Sequence, residues 1–273
     1  MLSIRKFFLL LIPVVVAIFY SKSNSPSSRD KMKSLRPRLL LGNGRRSAIL
    51  IGATGATGSQ VLKKLLASSE WGKVTTFGRR AMEDVEAAPK WSHHVVDFDK
   101  DLNVDDEKVV SLFKGHDIVF NCIGTTRGQA GGADPFYKIE VEYTQKIASI
   151  ASKAGIKQFT VVSAQGANPN QYYVKWIHPL LYVYTLGMKE EVIKAAEPPF
   201  QRVSIFRPGM LNRLKEDRTA EIIINRLFGG LRVDDLAAAI VRDAESQSPP
   251  EDGTVEDPLI YEGNSVILAQ SQL

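Results

Sequence analysis

Three evenly spaced glycines form the motif of this sequence that most directly implies chemistry. Gly52, Gly55 and Gly58 lie in LIGATGATGSQ, between an apolar strand-like segment and a helical pattern. In such a turn the first glycine bends the chain, the second lets backbone N–H groups reach a diphosphate, and the third lets the helix pack on the strand. The positive end of the helix dipole adds attraction for the anion. We therefore predict a dinucleotide site contacted by Gly52, Thr54, Gly55, Ala56, Thr57 and Gly58.

The end of the second predicted strand indicates which dinucleotide binds. That strand ends in TFGRR, so Arg79 and Arg80 stand where sites for NAD(H) carry an acid for the ribose 2′-hydroxyl. Two guanidinium groups beside the adenosine ribose favour the 2′-phosphate of NADP(H) over NAD(H). The alternative is a pair of solvated loop arginines.

Two further strand ends supply candidate contacts. Asp97 ends the third strand and either accepts a hydrogen bond from the adenine amino group or caps a turn. The fourth strand runs into FNCIGTTRGQAGG, where Gly124 and Thr125 are expected beside the nicotinamide, and Arg127 faces either the pocket or solvent. Cys122 lies within that strand, which indicates a small core residue rather than a nucleophile.

Ser163 and Lys189 mark the expected reaction centre. Ser163 ends the fifth strand, where open α/β sheets place their ligands, and Lys189 begins a later helical pattern. Around them GATGATG, GRR, VVDFDK, FKGHDIVFNCIGTTRGQAG, KAGIKQFTVVSAQGAN, MKEEV and FRPGML occur in this order. Over about residues 47–240 the chain thereby resembles the short-chain dehydrogenase/reductase superfamily, in particular an atypical subgroup with fungal members on the mitochondrial outer membrane.

The resemblance implies roles for these residues. In that superfamily a serine polarises the substrate carbonyl and a tyrosine four residues before a lysine shuttles the proton. The lysine holds the ribose hydroxyls and lowers the pKa of the tyrosine by its charge. Ser163 and Lys189 take the first and third roles, and Lys189 is also a cofactor contact. The resemblance further implies that the loop carrying Pro208, in FRPG, closes on the nicotinamide side.

One departure from the family pattern concerns the proton donor. Thr185 stands four residues before Lys189, and its hydroxyl is too weak an acid to replace a phenol. Tyr184 stands five residues before Lys189, about 140° away around a regular helix. We expect Tyr184 to be the acid, brought round by a bulge near Gly187 or by a helix that starts after it; Tyr182 is a second candidate.

The elements that must position these residues alternate between strand-like and helix-like segments. Such alternation predicts a single Rossmann-type α/β domain with a doubly wound parallel sheet. The predicted strands are Ala48–Ile51, Val74–Phe77, His94–Asp97, Asp117–Cys122, Phe159–Val162, Val203–Phe206 and Leu259–Tyr261. The predicted helices are Gly58–Ser68, Asp106–Phe113, Phe136–Ala154, Gly187–Ala195, Thr219–Leu227 and Val233–Ala244. The aromatic segment between Asn168 and Tyr184 is an altered lid, a membrane-touching surface or additional packing.

Charge separates the chain into a basic leader and a mildly acidic domain. Residues 1–46 hold ten Lys and Arg and one acid, a net +9, so the remainder carries −4 of the overall +5. This argues against a nucleic-acid surface on the domain. One cysteine excludes an internal disulfide, and the four histidines lack metal-ligand spacing, so we expect no metal.

The leader predicts attachment to a membrane. Phe7–Tyr20 is an uninterrupted apolar run, so residues 1–24 are either an anchor or a cleaved targeting segment. Residues 25–46 read as a basic flexible linker and 47–273 as the domain. The positive charges after the run place the domain on the cytosolic side, at the mitochondrial outer membrane or the endoplasmic reticulum.

Two functions of different classes follow. The first is a membrane-tethered NADP(H)-dependent oxidoreductase acting on a carbonyl or hydroxyl substrate that the sequence does not identify. The second is a non-catalytic NADP(H)-binding scaffold with protein partners. A sugar-nucleotide epimerase is disfavoured because only 64 residues follow Gly209, too few for the usual substrate domain.

Overall fold

A parallel seven-stranded sheet forms the centre of the protein. A computed structural model describes residues 45–82, 88–174, 176–212 and 230–272. In chain order the strands of the main sheet are β1 (Arg46–Ile51), β2 (Trp71–Gly78), β3 (Trp91–Val95), β4 (Ile118–Asn121), β5 (Gln158–Val162), β6 (Arg202–Arg207) and β9 (Leu259–Glu262). Two short strands, β7 (Leu211–Asn212) and β8 (Leu231–Arg232), pair separately.

The strand order creates a crevice at one place. The order is β3-β2-β1-β4-β5-β6-β9, and every neighbouring pair is parallel. The chain winds outward from β1 in one direction and from β4 in the other. The carboxyl ends of β1 and β4 therefore form the topological switch point, where ligands bind in such sheets.

Helices cover both faces of this sheet. They are α1 (Ala56–Ala67), α2 (Glu107–Phe113), α3 (Arg127–Ala130), α4 (Ala133–Tyr137), α5 (Tyr143–Lys153), α6 (His178–Lys194), α7 (Val233–Ser246) and α8 (Asn264–Gln272). A π-helical segment, Lys138–Glu142, joins α4 to α5 without a break. Such wide turns are rare and recur at functional sites, so this segment is relevant to the site described below.

Alternate residues of β1 build two separate cores. Ile49 and Ile51 pack into a cluster with α2, α5 and α6, whereas Ala48 and Leu50 pack into a cluster with α1 and α7. All four side chains are fully buried. Burial on both faces explains why the predicted strands read as short apolar runs without alternation of polar residues.

All seven predicted strands are present, and the Rossmann-type sheet is confirmed. The predicted bounds of β3 are wrong: it covers Trp91–Val95 rather than His94–Asp97, because its backbone pairs with Val74–Gly78 of β2. The helix predicted for Phe136–Ala154 begins at Ala133. Sequence patterns also missed α3 and α8.

The predicted start of α6 is wrong. The helix begins at His178, nine residues before Gly187, and it runs through Gly187 without interruption. The segment before Gly187, LLYVYTL, is apolar on every side, so it shows no helical period. Gly187 permits close packing: a Cβ there would lie 2.2 Å from the backbone nitrogen of Pro169.

Several predicted segments lie outside the described residues. These are the anchor or targeting segment 1–24, nearly all of the linker 25–46 and the helix predicted for Thr219–Leu227. β1 begins at Arg46, one residue before the predicted start of the domain. Within the described ranges, none of the helices combines the length and apolar character required to cross a bilayer.

We expect Gly58→Ala to destabilise the fold. A Cβ at Gly58 would lie 2.1 Å from the carbonyl oxygen of Gly52, so α1 would have to move away from β1. We expect a loss of about 2–3 kcal/mol in chemical denaturation, because overpacking outweighs the helix propensity that alanine adds. Gly128→Ala, near the start of α3, is the matched control, since its Cβ would meet nothing within 4 Å. Equal stability of the two variants would contradict this account of Gly58.

Candidate functional site

The glycine motif forms a backbone cradle at the switch point, which we call the glycine cradle (residues 52–58). Gly52 has φ +83°, and a Cβ there would lie 2.8 Å from the carbonyl group of Cys122. The Gly55 amide donates to the carbonyl oxygen of Gly52 at 3.0 Å. Thr54 is exposed and Thr57 is buried, so the backbone between the glycines faces outward. A Cβ at Gly58 would lie 2.1 Å from the Gly52 carbonyl oxygen, so Gly52 and Gly58 lie where neighbouring backbone leaves no room for a side chain, whereas at Gly55 the nearest atom would be 3.3 Å away.

The first turn of α1 is suited to an anion. Gly55 occupies the N-cap position in an extended conformation and, being glycine, offers no side-chain cap, and the first turn of α1 carries no acidic residue. The first amide groups of a helix have no partners within the helix. Ala56 and Thr57 thus present N–H groups and the positive end of the dipole to the switch point. These residues fit the diphosphate of a dinucleotide.

The two arginines lie just beyond the carboxyl end of β2. Arg79 and Arg80 are both exposed, and β2 ends at Gly78. The structure therefore brings two cations to the same edge of the sheet as the glycine cradle. Asp97 lies after the adjacent strand, where its side chain accepts from the Asp99 amide at 2.9 Å and lies 3.6 Å from Lys100. Of the two alternatives for Asp97, the turn cap is observed, and the adenine contact stays a prediction.

A buried ion pair fixes the loop after β4. Lys189 donates from Nζ to the Ile123 carbonyl oxygen at 2.6 Å and to Glu140 Oε2 at 2.9 Å. Glu140 Oε1 in turn accepts from the Thr125 amide at 2.7 Å. The two charged side chains are 1% and 2% exposed, respectively. Lys189 thus lies behind the loop that carries Gly124 and Thr125, and it holds this loop through its main chain.

Ser163 belongs to a second buried network. Its hydroxyl donates to Glu190 Oε1 at 2.6 Å, and Glu190 also binds Arg207, with Nε at 2.9 Å and Nη2 at 2.6 Å. Arg207 reaches Glu262 at 3.2 Å, and Glu262 accepts from the Gly166 amide at 3.0 Å. The alternative in which Arg207 pairs with a nearby acid is therefore what the structure has. This network links the ends of β5, β6 and β9 through α6.

Pro208 lies beside the same serine. The Ser163 amide donates to the Phe206 carbonyl at 2.8 Å, and the Gln165 amide donates to the Pro208 carbonyl at 2.9 Å. The loops after β5 and β6 therefore continue the pairing of the two strands. Pro208 is buried in this arrangement, and its contact with a cofactor stays a prediction.

Tyr184 does not share the face of Lys189 on α6. Because α6 is continuous from His178, neither a bulge near Gly187 nor a later helix start brings Tyr184 round, and this part of the expectation is wrong. Tyr184 forms a tyrosine stack with Tyr173, at 4.0 Å between ring centroids, and Tyr137, at 6.4 Å. Burial, followed by the neighbouring phenol of Tyr173, raises the pKa of Tyr184.

Thr185 and Tyr182 complete the comparison of possible donors on α6. Thr185, one helical turn before Lys189, is fully buried, and its hydroxyl has no hydrogen-bond partner among the described residues. The ring of Tyr182 stacks on Phe136 at 5.9 Å.

Cys122 packs against the core cluster of α1 and α7. Burial raises the pKa of its thiol to about 12, and the charge of Lys189 opposes this only in part. The structure therefore agrees with a core role. In the described part of the chain, no three His, Cys, Asp or Glu side chains are grouped to hold a metal ion, and the expectation of a metal-free protein stays a prediction.

Sequence reasoning missed the carboxylates that hold the site together. Glu140 lies in the π-helical segment, whose wider turn no sequence pattern reveals. Glu190 follows Lys189 directly in MKEEV, and its burial at 1% exposure distinguishes it from the half-buried Glu191. A run of two acids within an apolar helix was the available signal.

Comparisons with solved structures agree with this fold. MoeE5 in complex with UDP-glucuronic acid and NAD aligns with a TM-score of 0.59 at 16% identity, covering 80% of this chain and 76% of that chain. The oxidoreductase ylbE from Lactococcus lactis aligns with a TM-score of 0.55 at 18% identity, covering 83% and 95%. At these identities the likeness shows the fold alone.

Sequence relatives are more informative. Protein HTATIP2 from Rattus norvegicus is 34% identical over 207 residues, 75% of this chain and 78% of its own length. The mitochondrial protein fmp52 from Aspergillus niger is 35% identical over 185 residues, 67% and 74% of the two chains. A family described as NAD(P)H-binding matches residues 52–247. The chain therefore belongs to the NAD(P)H-binding family, as an atypical short-chain dehydrogenase/reductase relative of HTATIP2 and the fungal FMP52 proteins.

Proposed function

We propose that this protein binds NADP(H) at the switch point between β1 and β4. The glycine cradle carries this proposal, because it brings bare backbone to the uncapped first turn of α1. The diphosphate would lie against the amides of Ala56 and Thr57. Gly124 and Thr125 would border the nicotinamide.

The choice of NADP(H) over NAD(H) rests on charge. Arg79 and Arg80 are exposed where the adenosine ribose lies in this fold, and guanidinium groups bind phosphate through charge-assisted hydrogen bonds. The Asp97 carboxylate on the neighbouring strand end caps its own turn, and Arg79 and Arg80 are the exposed cations directly after β2.

The contacts around Lys189 and Ser163 favour a role in which the nucleotide is bound but not turned over. Glu140 neutralises Lys189, so this lysine has little charge left to lower the pKa of a phenol. Ser163 gives its one hydroxyl hydrogen to Glu190 and cannot at the same time donate it to a substrate carbonyl. Tyr184 has a raised pKa and lies in the tyrosine stack. We therefore favour an NADP(H)-binding regulatory scaffold.

The second candidate is an NADP(H)-dependent oxidoreductase acting on an unknown carbonyl or hydroxyl. It is supported by Ser163, which directly follows β5, and by the match of residues 52–247 to a family described as NAD(P)H-binding. When bound, NADPH would supply the hydride. In this candidate Ser163 would turn its hydroxyl from Glu190 to the substrate oxygen, and Tyr184 would leave the tyrosine stack to deliver the proton. Hydrogen bonds of catalytic groups often form only in the substrate complex.

We further propose that the domain is tethered to a membrane through its N-terminal apolar run, facing the cytosol. Phe7–Tyr20 supports the tether, and the basic residues after it support the orientation. The mitochondrial names of the fungal relatives favour the mitochondrial outer membrane over the endoplasmic reticulum.

Isothermal titration with NADPH and NADH tests the binding site. We expect NADPH to bind at least about fivefold more tightly, equivalent to about 1 kcal/mol, because the 2′-phosphate gains charge-assisted hydrogen bonds. The double variant Arg79→Ala/Arg80→Ala should bind both nucleotides equally. Lys63→Ala/Lys108→Ala removes two exposed charges elsewhere and should keep the preference. Absence of binding by either nucleotide would overturn the proposal.

Steady-state oxidation of NADPH with a panel of aldehydes and ketones separates the two candidates. We expect wild-type rates no higher than those of Ser163→Ala and Tyr184→Phe, since the proton relay is not assembled. Binding of NADPH must be confirmed for each variant in parallel. Turnover that Tyr184→Phe reduces a hundredfold or more would establish the oxidoreductase instead.

A double-mutant cycle tests the buried ion pair that neutralises Lys189. Lys189→Met leaves the Glu140 carboxylate unpaired and should cost about 3–5 kcal/mol of stability, as should Glu140→Gln, which leaves the ammonium unpaired. The double variant should lose at least about 1 kcal/mol less than the sum of the two, measured by chemical denaturation. Lys138→Met, which breaks the exposed pair with Asp99, should have a much smaller effect. Strict additivity would show that the two charges do not interact.

A further inference from the structure

We infer that His93 is a positioning residue for cofactor selectivity, because its ring holds the turn that presents Arg79 and Arg80. His93 lies on β3, beside the arginine turn, and its Nε2 lies 2.8 Å from the carbonyl oxygen of Arg80. This inference rests on the proposed binding of NADP(H). It assigns to β3 a role that neither the glycine cradle nor the arginines themselves supply.

The hydrogen-bond partners of His93 fix which atom donates. A carbonyl oxygen only accepts, so Nε2 must carry the hydrogen in the bond to Arg80. Nδ1 lies 2.9 Å from Thr76 Oγ1 on the neighbouring β2. Thr76 in turn accepts from Trp91 Nε1 at 3.1 Å. A chain of three hydrogen bonds therefore runs from the indole through the hydroxyl and the imidazole to the turn.

The bond to Arg80 persists in both protonation states of the ring. In the neutral ring Nδ1 accepts from the Thr76 hydroxyl. In the charged ring Nδ1 donates to Thr76, and the hydroxyl hydrogen turns to the Ser92 carbonyl at 3.2 Å. Nε2 donates to Arg80 in each case. His93 therefore acts as a fixed strut for the turn and not as a switch.

Packing restricts the same ring and the same turn. The imidazole lies nearly parallel to the Trp91 indole, with ring centroids 6.2 Å apart. A Cβ at Gly78 would lie 3.3 Å from His93 Cε1 and 3.9 Å from the Arg80 carbonyl oxygen. The chain thus doubles back over Gly78, where the missing side chain lets the turn approach the ring.

Fixing this turn affects one nucleotide more than the other. The two arginines have long exposed side chains, which lose conformational freedom when they bind a phosphate. A backbone anchored at Arg80 restricts the conformations of the two arginines before the nucleotide binds, so less conformational entropy is lost on binding. NADH lacks the 2′-phosphate and gains nothing from this arrangement. Loss of the hydrogen bond from His93 should therefore weaken the binding of NADPH more than the binding of NADH.

The matched control is the next residue on β3. Adjacent side chains of a strand point to opposite faces, and the ring of His94 stacks on Phe77 at 5.1 Å. His93→Phe keeps a flat ring beside Gly78 but removes the donor to Arg80. His94→Phe makes the same chemical change on the other face. His93→Gln restores a side-chain N–H that can donate to the carbonyl.

Dissociation constants for NADPH and NADH, measured on the full chain by titration calorimetry, test the inference, with the thermal midpoint recorded for each variant. We expect His93→Phe to raise the dissociation constant for NADPH about fivefold and to change that for NADH less than twofold. His94→Phe should keep the wild-type ratio of the two constants. His93→Gln should keep more of the preference for NADPH than His93→Phe does.

Three results would overturn the inference, and they are distinguishable. If His93→Phe leaves both dissociation constants at their wild-type values while Arg79→Ala/Arg80→Ala abolishes the preference for NADPH, the arginines select NADP(H) without the strut, and the proposed function stands. If His93→Phe weakens both nucleotides equally, His93 does not act on selectivity, and the proposed function again stands. If the wild-type protein itself shows no preference for NADPH, both the strut and the NADP(H) assignment fail.

Discussion

The approach of the first helix to the end of the first strand is the constraint on which the rest of the site depends. Gly58 lies so close to the Gly52 carbonyl that a methyl group has no space, and a Cβ at Gly52 would lie 2.8 Å from the backbone carbonyl of Cys122. These contacts fix the direction of α1 relative to β1 and β4. They therefore determine where the positive end of the helix dipole points.

Buried carboxylates give the site its second level of organisation. Glu140 and Glu190 are almost completely buried, and each holds a cation together with part of a loop. Through them Lys189 and Ser163 become parts of the framework under the proposed nucleotide site. The family resemblance assigns Ser163 to polarising the substrate carbonyl, and Lys189 to holding the ribose hydroxyls and lowering the pKa of the tyrosine that transfers the proton. A framework that binds them this firmly supports binding of a nucleotide more readily than acid–base chemistry.

The features that the sequence predicted well are those with a local physical signature. Seven short, mostly apolar runs correspond to seven parallel strands, because burial on both faces favours apolar residues without alternation in the inner strands. The glycine spacing identified the cradle, because close backbone approach leaves no room for a side chain at Gly52 and Gly58. The bounds of β3 could not be predicted as well, since this edge strand is half-exposed and its mixed polar and apolar residues form no clear pattern.

The features that were missed depend on contacts between distant segments. The sequence pattern places a helix boundary at Gly187, although this residue serves the packing of α6 on Asn168 and Pro169. The pairing of Glu140 with Lys189 joins residues 49 positions apart through a π-helical turn. No periodicity indicates either contact, because each arises only when the two helices and the loop are already in place.

The half-buried thiol of Cys122 has low reactivity. Cys122 is the single cysteine of the chain, and its pKa near 12 leaves almost no thiolate at neutral pH. Peroxide and disulfides react with thiolates, so the raised pKa lowers the reactivity of this cysteine in the folded protein. The position of Cys122 directly after β4 therefore disfavours a role as a redox-sensing thiol.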